Sequence, residues 1–248
     1  MNKLVILSDI HGNLSALQAV IQDFQSKYSP EAIVLLGDLI DYGMRSNEVI
    51  ELIQNLEKKY PIFCNIQGNH EATAMSPENH LNKFSSERGK TSILYTIKHL
   101  SRESFSYIKN CMENEGKKVL ELNDNKILCV HGDLTSPFWG KMSYEEMLCP
   151  EYSVFDYVFS GHSHIPHLTD IFYEINNPST RNKKKTTFIN PGSVGQPRNH
   201  NPFAQYVYLD LFTETIHYNA VSYDIDTEQK FFTQEIDLFY KNRIRLGI

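Results

Sequence analysis

Residues 4–14, LVILSDIHGNL, decide the fold, because four apolar residues are followed, after Ser8, by Asp9 and His11. An apolar run of this length without alternation is typical of a strand buried on both faces. After it, apolar residues from Leu14 to Phe24 repeat at helical spacing, with Asn13 as a suitable N-cap. A buried strand, a polar turn and an amphipathic helix together indicate a layered α/β fold.

The same pattern recurs along the chain, where further short apolar runs end in polar residues. The first five runs are followed by five motifs: Asp9-x-His11, Gly37-Asp38, Gly68-Asn69-His70-Glu71, His131-Gly132-Asp133 and Gly161-His162-Ser163-His164. Half of the ten histidines lie in these motifs, which turn chemistry alone does not explain. Because sites in open α/β sheets form beyond the carboxyl ends of the strands, we expect the motifs to meet at one edge of one sheet.

The length of 248 residues and the hydrophobic content of 41% suit a single core. We expect one domain over residues 1–248, with a helical insertion at about 72–118 and a helical tail at about 224–248. Ser101 is predicted to begin a helix within the insertion. The tail is predicted to form one amphipathic helix from Asp226 to Ile248, capped by Asp226.

Composition excludes several classes of protein. The formal net charge of -6 argues against a dedicated nucleic-acid surface, which would be basic. No segment approaches the roughly 20 apolar residues of a membrane helix, so no membrane partner is expected. The four cysteines lie far apart without a CxxC pair, which favours reduced thiols and a cytoplasmic location: Cys64, Cys111, Cys129 and Cys149.

In their order and spacing, these motifs resemble those of the calcineurin-like metallophosphoesterase superfamily. The signature residues are all present: Asp9, His11, Asp38, Asn69, His70, His131, His162 and His164. Residues 37–43 and 190–198 resemble those of a compact, single-domain bacterial and archaeal subgroup. The resemblance implies a four-layer α/β/β/α fold, in which two mixed β-sheets pack as a sandwich flanked by helices.

The resemblance also implies two divalent metal ions and a set of ligands for each. The first ion would take Asp9, His11 and His164, the second Asn69, His131 and His162, and Asp38 would bridge them. Imidazoles and hard oxygens without thiolates favour Mn or Fe, with Zn, Co or Ni as alternatives. The implied reaction is attack by a hydroxide that bridges the ions, with His70 assisting the leaving group as a catalytic acid. Glu71 or Asp41 could orient His70 or a ligand, or each could form a structural ion pair.

One departure bears on the substrate. Phosphoprotein phosphatases of this superfamily carry an Arg where this chain has Tyr42. That Arg binds the substrate phosphate, so its replacement disfavours monoesters and phosphoproteins. Tyr42 could instead offer an aromatic face or a hydroxyl to a nucleotide or aryl group. Arg198 could reach a phosphate through a bidentate contact, or it could form a structural ion pair.

We therefore expect a monomer or homodimer that hydrolyses phosphodiester or nucleotide pyrophosphate bonds in a small phosphate ester or nucleotide. Two alternatives remain open from the sequence. One is a phosphomonoesterase, and the other is a non-catalytic metal-binding interaction module, since this fold is also used as a scaffold where ligand histidines have been lost.

Overall fold

A computed structural model describes residues 2–248, apart from the side chain of Thr180. The first of its two five-stranded sheets has the order β10-β9-β1-β2-β3. Its strands are β1 (Lys3–Leu7), β2 (Ala32–Leu35), β3 (Ile62–Asn65), β9 (Ala204–Asp210) and β10 (Thr215–Val221). Strands β1, β2 and β3 are parallel, and β9 is antiparallel to both β1 and β10. The short apolar runs of the N-terminal third therefore form the parallel centre of this sheet.

The second sheet has the order β4-β5-β6-β8-β7. Its strands are β4 (Lys117–Leu122), β5 (Asn125–Val130), β6 (Tyr157–Ser160), β7 (His167–Glu174) and β8 (Lys183–Asn190). Strands β5, β6 and β8 are parallel, while β4 and β7 are antiparallel edges. Both sheets are thus mixed.

The two sheets pack face to face through a fully apolar interface. Ile6 and Val34 of the first sheet pack in one cluster with Phe159 and Ile189 of the second, and all four side chains are inaccessible to solvent. Continuous apolar runs are required here, because one face of each strand meets the other sheet and the opposite face meets helices. Cys64 and Cys129 belong to the same cluster between the two sheets, and both are free thiols.

Helices cover the outer faces of the sandwich. The α-helices within residues 2–248 are α1 (Leu14–Lys27), α2 (Ser46–Glu57), α3 (Asn69–Met75), α4 (Pro77–His80), α5 (Glu87–His99), α6 (Arg102–Cys111), α7 (Tyr144–Met147), α8 (Ile225–Gln229) and α9 (Leu238–Leu246). Helices α1, α2 and α6 pack on the first sheet, while α7 and a 3-10 helix at Pro150–Val154 pack on the second. The expected sandwich of two mixed sheets flanked by helices is confirmed.

Several local predictions hold. The Asn13 side chain accepts a hydrogen bond from the Ala16 N–H and caps α1. Ser101 caps α6 in the same way through the Ser104 N–H. Helices α3 to α6 occupy the stretch between β3 and β4. No helix among the described residues is both long enough and apolar enough to cross a membrane.

Two predictions are wrong. The tail is not one helix, because Asp224 caps α8, Asp237 caps α9, and the chain between the two helices is not helical. Nor do the five motifs meet at one edge of one sheet. The first three follow strands of the first sheet, and the last two follow β5 and β6 of the second. The periodicity and length of the apolar runs do not show whether the strands form one sheet or two facing sheets. In either arrangement the strands are buried on both faces.

Candidate metal centre

The structure brings all seven predicted ligand residues together between the carboxyl ends of strands from both sheets. Asp9 and His11 follow β1, Asp38 follows β2, and Asn69 begins α3 directly after β3. His131 follows β5, whereas His162 and His164 follow β6. The last two residues of each of these strands are buried. The end of the strand therefore fixes the position of the polar residue that follows it.

The seven residues form two groups that share Asp38. In the first group, the ligand atoms of Asp9, His11, Asp38 and His164 all lie within 4.8 Å of one another. In the second, those of Asp38, His131 and His162 do so as well. The Asn69 Oδ1 belongs to the second group, since it lies 3.1 Å from His131 Nε2 and 2.9 Å from His162 Nδ1. The grouping matches the two ligand sets that the resemblance implies.

Three of the four histidines predicted as ligands are oriented by backbone carbonyls. In each of them Nδ1 donates to a carbonyl oxygen, which leaves the Nε2 lone pair directed into the site. The pairs are His11 with Ile40 at 3.0 Å, His131 with Leu36 at 2.7 Å, and His164 with Gln196 at 2.6 Å. His162 differs, because its Nδ1 is the atom that faces Asn69.

Burial and neighbouring charges set the protonation of the centre. Burial lowers the pKa of His11 and His164 well below the usual value and that of His162 to about 3. Neutral imidazole is the form that binds a metal ion. Burial alone would also lower the pKa of His131, but the Asp38 carboxylate outweighs it and raises this pKa to about 9.

The pKa values of the two carboxylates in the centre are shifted in opposite directions. Burial raises the pKa of Asp9 to about 7. Burial opposes the charge of Asp38 too, but His131 and His70 outweigh it and hold its pKa well below the usual range. Asp9 Oδ1 is buried without a hydrogen-bond partner among the described residues and lies 3.2 Å from His164 Nε2. An orphaned carboxylate oxygen beside neutral imidazoles fits a bound cation.

The Glu71 carboxylate supports the loop that carries Asp38. It is fully buried and accepts hydrogen bonds from the N–H groups of Asp38, Leu39, Ile40 and Gly68, at 2.8 to 3.1 Å. Gly68 is needed for this close approach, because a Cβ at that position would lie 2.2 Å from Asp38 Oδ1. Glu71 therefore holds the loop that carries Asp38 and forms no ion pair with a basic side chain in the described part of the chain.

Residues 190–198 join the ligand loops of the two sheets, a role that sequence reasoning did not assign. Asn190 Nδ2 donates to the Gly161 carbonyl at 2.9 Å, next to His162. Ser193 Oγ donates to the Asp9 carbonyl at 2.6 Å. Gly195 passes so close to the loop after β1 that a Cβ would lie 1.7 Å from the Ile10 oxygen. The segment thereby fixes loops from β1 and β6 against each other.

His70 stands beside the ligand groups and is oriented by Asp41. Its Nδ1 lies 2.7 Å from Asp41 Oδ2, and its Nε2 lies 3.8 Å from Asp38 Oδ2. Helix α5 completes the arrangement, since Ser92 and Thr96 donate to Asp41 Oδ1 at 2.8 and 2.7 Å. Burial opposes a charge on His70, but Asp38 and Asp41 outweigh it and raise the pKa of the imidazole.

A cleft of about 360 Å³ opens above these residues. Besides Asp38, Asn69, His70, His162 and His164, it is lined by three cations and several aromatic rings: Lys83, Lys141, Arg198, Tyr42, Phe84 and Trp139. Sequence reasoning missed Lys83, Phe84, Trp139 and Lys141. No motif or spacing pointed to them, since they come from the helical insertion and from the loop after β5.

The two predicted substrate contacts differ in availability. Tyr42 is only 9% exposed, and its ring stacks on Tyr240 at 4.5 Å and contacts His70 at 4.6 Å. One face of its ring is therefore covered by Tyr240, while the side chain still lines the cleft beside His70. Arg198 lines the cleft, forms no ion pair within the described residues, and has a buried Nε without a partner there.

Comparisons with known proteins agree on one family. A model of the calcineurin-like phosphoesterase superfamily domain matches residues 2–214. The uncharacterized protein MJ0912 of Methanocaldococcus jannaschii is 32% identical over 237 residues, which cover 90% of this chain and 88% of that protein.

Two crystal structures are similar over nearly their whole length. One is a metallophosphoesterase from Sphaerobacter thermophilus, with a TM-score of 0.74, 24% identity, and coverage of 100% of this chain and 99% of that one. The other is the hypothetical protein PH1004 from Pyrococcus horikoshii OT3, with a TM-score of 0.77, 24% identity, and coverage of 97% and 98%. At this identity the likeness concerns the fold.

Replacing Glu71 by Gln should weaken metal binding about 10- to 100-fold, because an amide cannot accept from four N–H groups as a carboxylate does and the Asp38 loop loses its support. Titration calorimetry with Mn²⁺ measures the change, and the exposed Glu78→Gln is the matched control. Unchanged affinity in Glu71→Gln would show that the Asp38 loop holds its position without this carboxylate.

Proposed function

Because the chain belongs to the calcineurin-like phosphoesterase superfamily, we propose that its two ligand groups hold a pair of divalent cations and that the cleft hydrolyses phosphodiester bonds or the pyrophosphate bonds of nucleotides. The family is metal-dependent, and the protein is a phosphoesterase hydrolase. The observation that carries the proposal is the position of Asp38, which belongs to both ligand groups at once. A shared carboxylate is what a closely spaced pair of cations needs.

The donor atoms favour a particular class of metal. Imidazole nitrogens, two carboxylates and one amide oxygen surround the centre without any thiolate. This set favours Mn or Fe, and Zn, Co or Ni also suit it. When bound, such ions would polarise the phosphoryl oxygens and lower the pKa of the attacking water.

The protein's own residues position the substrate and the proton. His70 presents Nε2 toward Asp38, because Asp41 holds the opposite ring nitrogen. A protonated His70 can therefore give the Nε2 proton to the oxygen that leaves phosphorus, while Asp41 stabilises the charged ring. Arg198 lines the same cleft and forms no ion pair within the described residues, so its guanidinium can bind a non-bridging phosphate oxygen.

A phosphomonoesterase is the second candidate, and the cleft's cations favour it. The replacement of Arg by Tyr42 disfavours a monoester dianion only if no other positive charge reaches the phosphate. Arg198, Lys83 and Lys141 line the same cleft and could supply that charge. Both lysines are exposed, however, whereas the ligand residues are mostly buried. We therefore place the diester or pyrophosphate first.

Mn-loaded protein should contain two ions per chain, and Asp38→Asn should lower the content to one or fewer, because the shared carboxylate is lost. Atomic absorption after gel filtration measures the content. The exposed turn variant Asp124→Asn is the control and should retain two ions. Saturation of the natural protein at one ion, together with full activity of Asp38→Asn, would refute the shared ligand.

His70→Asn should reduce the turnover of esters with poor leaving groups roughly 10²-fold or more, and that of activated aryl esters less, because good leaving groups need little protonation. Asp41→Asn should show the same dependence with a smaller loss. Steady-state kinetics on a leaving-group series measure this, with the exposed His217→Asn as control. Equal losses across the series, or loss of metal, would contradict the assignment.

The enzyme should hydrolyse bis-aryl phosphate with a higher kcat/KM than the mono-aryl phosphate at the same metal concentration and pH, since a monoanionic diester needs less positive charge. If the monoester is the better substrate, the argument from Tyr42 is wrong. Arg198→Ala would then show whether Arg198 supplies the charge, through a larger loss on the monoester than on the diester.

A further inference from the structure

The outer part of the cleft contains four residues that the hydrolysis of a simple diester does not require. They are Lys83, Phe84, Trp139 and Lys141, and we call them the outer subsite. Lys83 and Phe84 come from the helical insertion, whereas Trp139 and Lys141 come from the loop after β5. Two segments distant in sequence thus each contribute one cation and one aromatic ring to the same wall.

The lysines of the outer subsite are available to bind an anion. Neither Lys83 nor Lys141 lies within 4.0 Å of a carboxylate of the described chain, unlike Lys27, which pairs with Asp23 at 2.9 Å. Among the described residues that line the cleft, only Asp38 is acidic. The chain as a whole has a net charge of -6, so this local excess of positive charge is not a property of the whole surface. Ammonium groups in a cleft attract and bind phosphates.

The aromatic rings connect these lysines to the reacting residues. Phe84 packs edge-to-face on His70 at 5.3 Å and on Trp139 at 5.2 Å. Trp139 in turn lies 6.3 Å from the ring of His162. The wall therefore extends from His70 to His162. Trp139 is only partly buried within it. A partly exposed indole can stack on a nucleobase.

Trp139 is held in place by contacts within the protein. Its Nε1 donates to His80 Nδ1 at 3.4 Å. The loop that carries it is closed by Asp133, whose Oδ1 accepts from the Ser136 N–H at 2.7 Å and from Thr135 Oγ1 at 2.8 Å. A preorganised aromatic ring loses little freedom on binding, which favours a role in recognition.

We infer that the outer subsite binds the second phosphate and the base of a nucleotide, so that the substrates are nucleotides with two or more phosphates in a chain. The inference rests on the proposed function, since the phosphate under attack must lie at the two ligand groups. The cleft volume of about 360 Å³ lies within the usual range of small-molecule sites. Hydrolysis adds water across the pyrophosphate bond: the water oxygen joins one phosphorus, and the bridging oxygen leaves with the other phosphate and gains a proton.

The test is a binding experiment with analogues that cannot be hydrolysed. The Mn-loaded protein is titrated with α,β-methylene-ADP, with AMP, and with methylene bisphosphonate, which lacks the base. Trp139 is the only tryptophan, so its fluorescence reports on the outer subsite, and calorimetry gives the affinities. We expect α,β-methylene-ADP to bind about tenfold more tightly than either of the other two ligands, and to quench Trp139.

Two variants distinguish what the two lysine charges contribute to binding from what the Trp139 ring contributes. The double variant Lys83→Met/Lys141→Met should lose the preference for α,β-methylene-ADP over AMP. Trp139→Leu should lose the preference for α,β-methylene-ADP over methylene bisphosphonate. The charge-matched control is Lys58→Met/Lys59→Met, two exposed lysines outside the cleft, which should retain both preferences. Thermal unfolding of each variant verifies that it is folded.

Equal affinity of the natural protein for α,β-methylene-ADP and AMP would overturn the inference, as would full retention of both preferences in the cleft variants. Either result is compatible with hydrolysis of bis-aryl phosphate and then leaves the proposed function intact. A protein that hydrolyses no phosphate ester would instead refute the proposed function, whatever the binding experiment shows.

Discussion

The Asp38 carboxylate lies between histidines from both sheets, and the rest of the centre depends on this placement. Its Oδ2 is 3.2 Å from His131 Nε2 and 3.6 Å from His11 Nε2. A carboxylate in the interior is costly unless positive charge and hydrogen-bond donors surround it. His131, whose pKa is raised to about 9, provides the positive charge, and the N–H of His70, 3.0 Å from Oδ1, provides a donor. Because His131 comes from the second sheet, Asp38 is fully stabilised only when the two sheets have closed on each other.

The packing of the two sheets also requires unusual backbone conformations near the centre. Five of the predicted ligand residues have positive φ values between 49° and 62°: Asp9, His11, Asp38, His162 and His164. Such conformations cost on the order of 1–3 kcal/mol each for residues other than glycine and persist only where the surroundings enforce them. Glu71 and the segment 190–198 do so here through hydrogen bonds to the ligand loops. The protein's own hydrogen bonds therefore hold these backbone conformations, at the expense of local stability.

The residues that hold His70 in position differ from the residues that attract the substrate. His70, the proposed proton donor, is enclosed by Asp41, Tyr42 and Phe84, and Tyr240 of helix α9 packs behind Tyr42. These contacts leave the imidazole little freedom to move. The charged groups that face solvent in the cleft are basic, although the protein is acidic overall. The cleft thereby concentrates an electrostatic attraction for anionic substrates against the general charge of the surface.

The sequence by itself determined the strands, the turns that follow them and which residues are candidates for metal ligands. Leu4–Leu7 followed by Asp9 and His11 is a local pattern, and burial on both faces leaves few other structures open to such a run. Asn13 and Ser101 were predictable as caps for the same reason, since a cap depends only on residues within one helical turn.

Only the tertiary structure decided which strands share a sheet, what holds the ligands, and what forms the cleft wall. The partition of the motifs between two sheets depends on pairings such as β1 with β9, which join residues about 200 positions apart. The contacts of Ser193 with Asp9 and of Trp139 with Phe84 likewise have no periodicity or spacing that marks them in the sequence. Local patterns specify what a residue can do, whereas long-range packing specifies which other residue it meets.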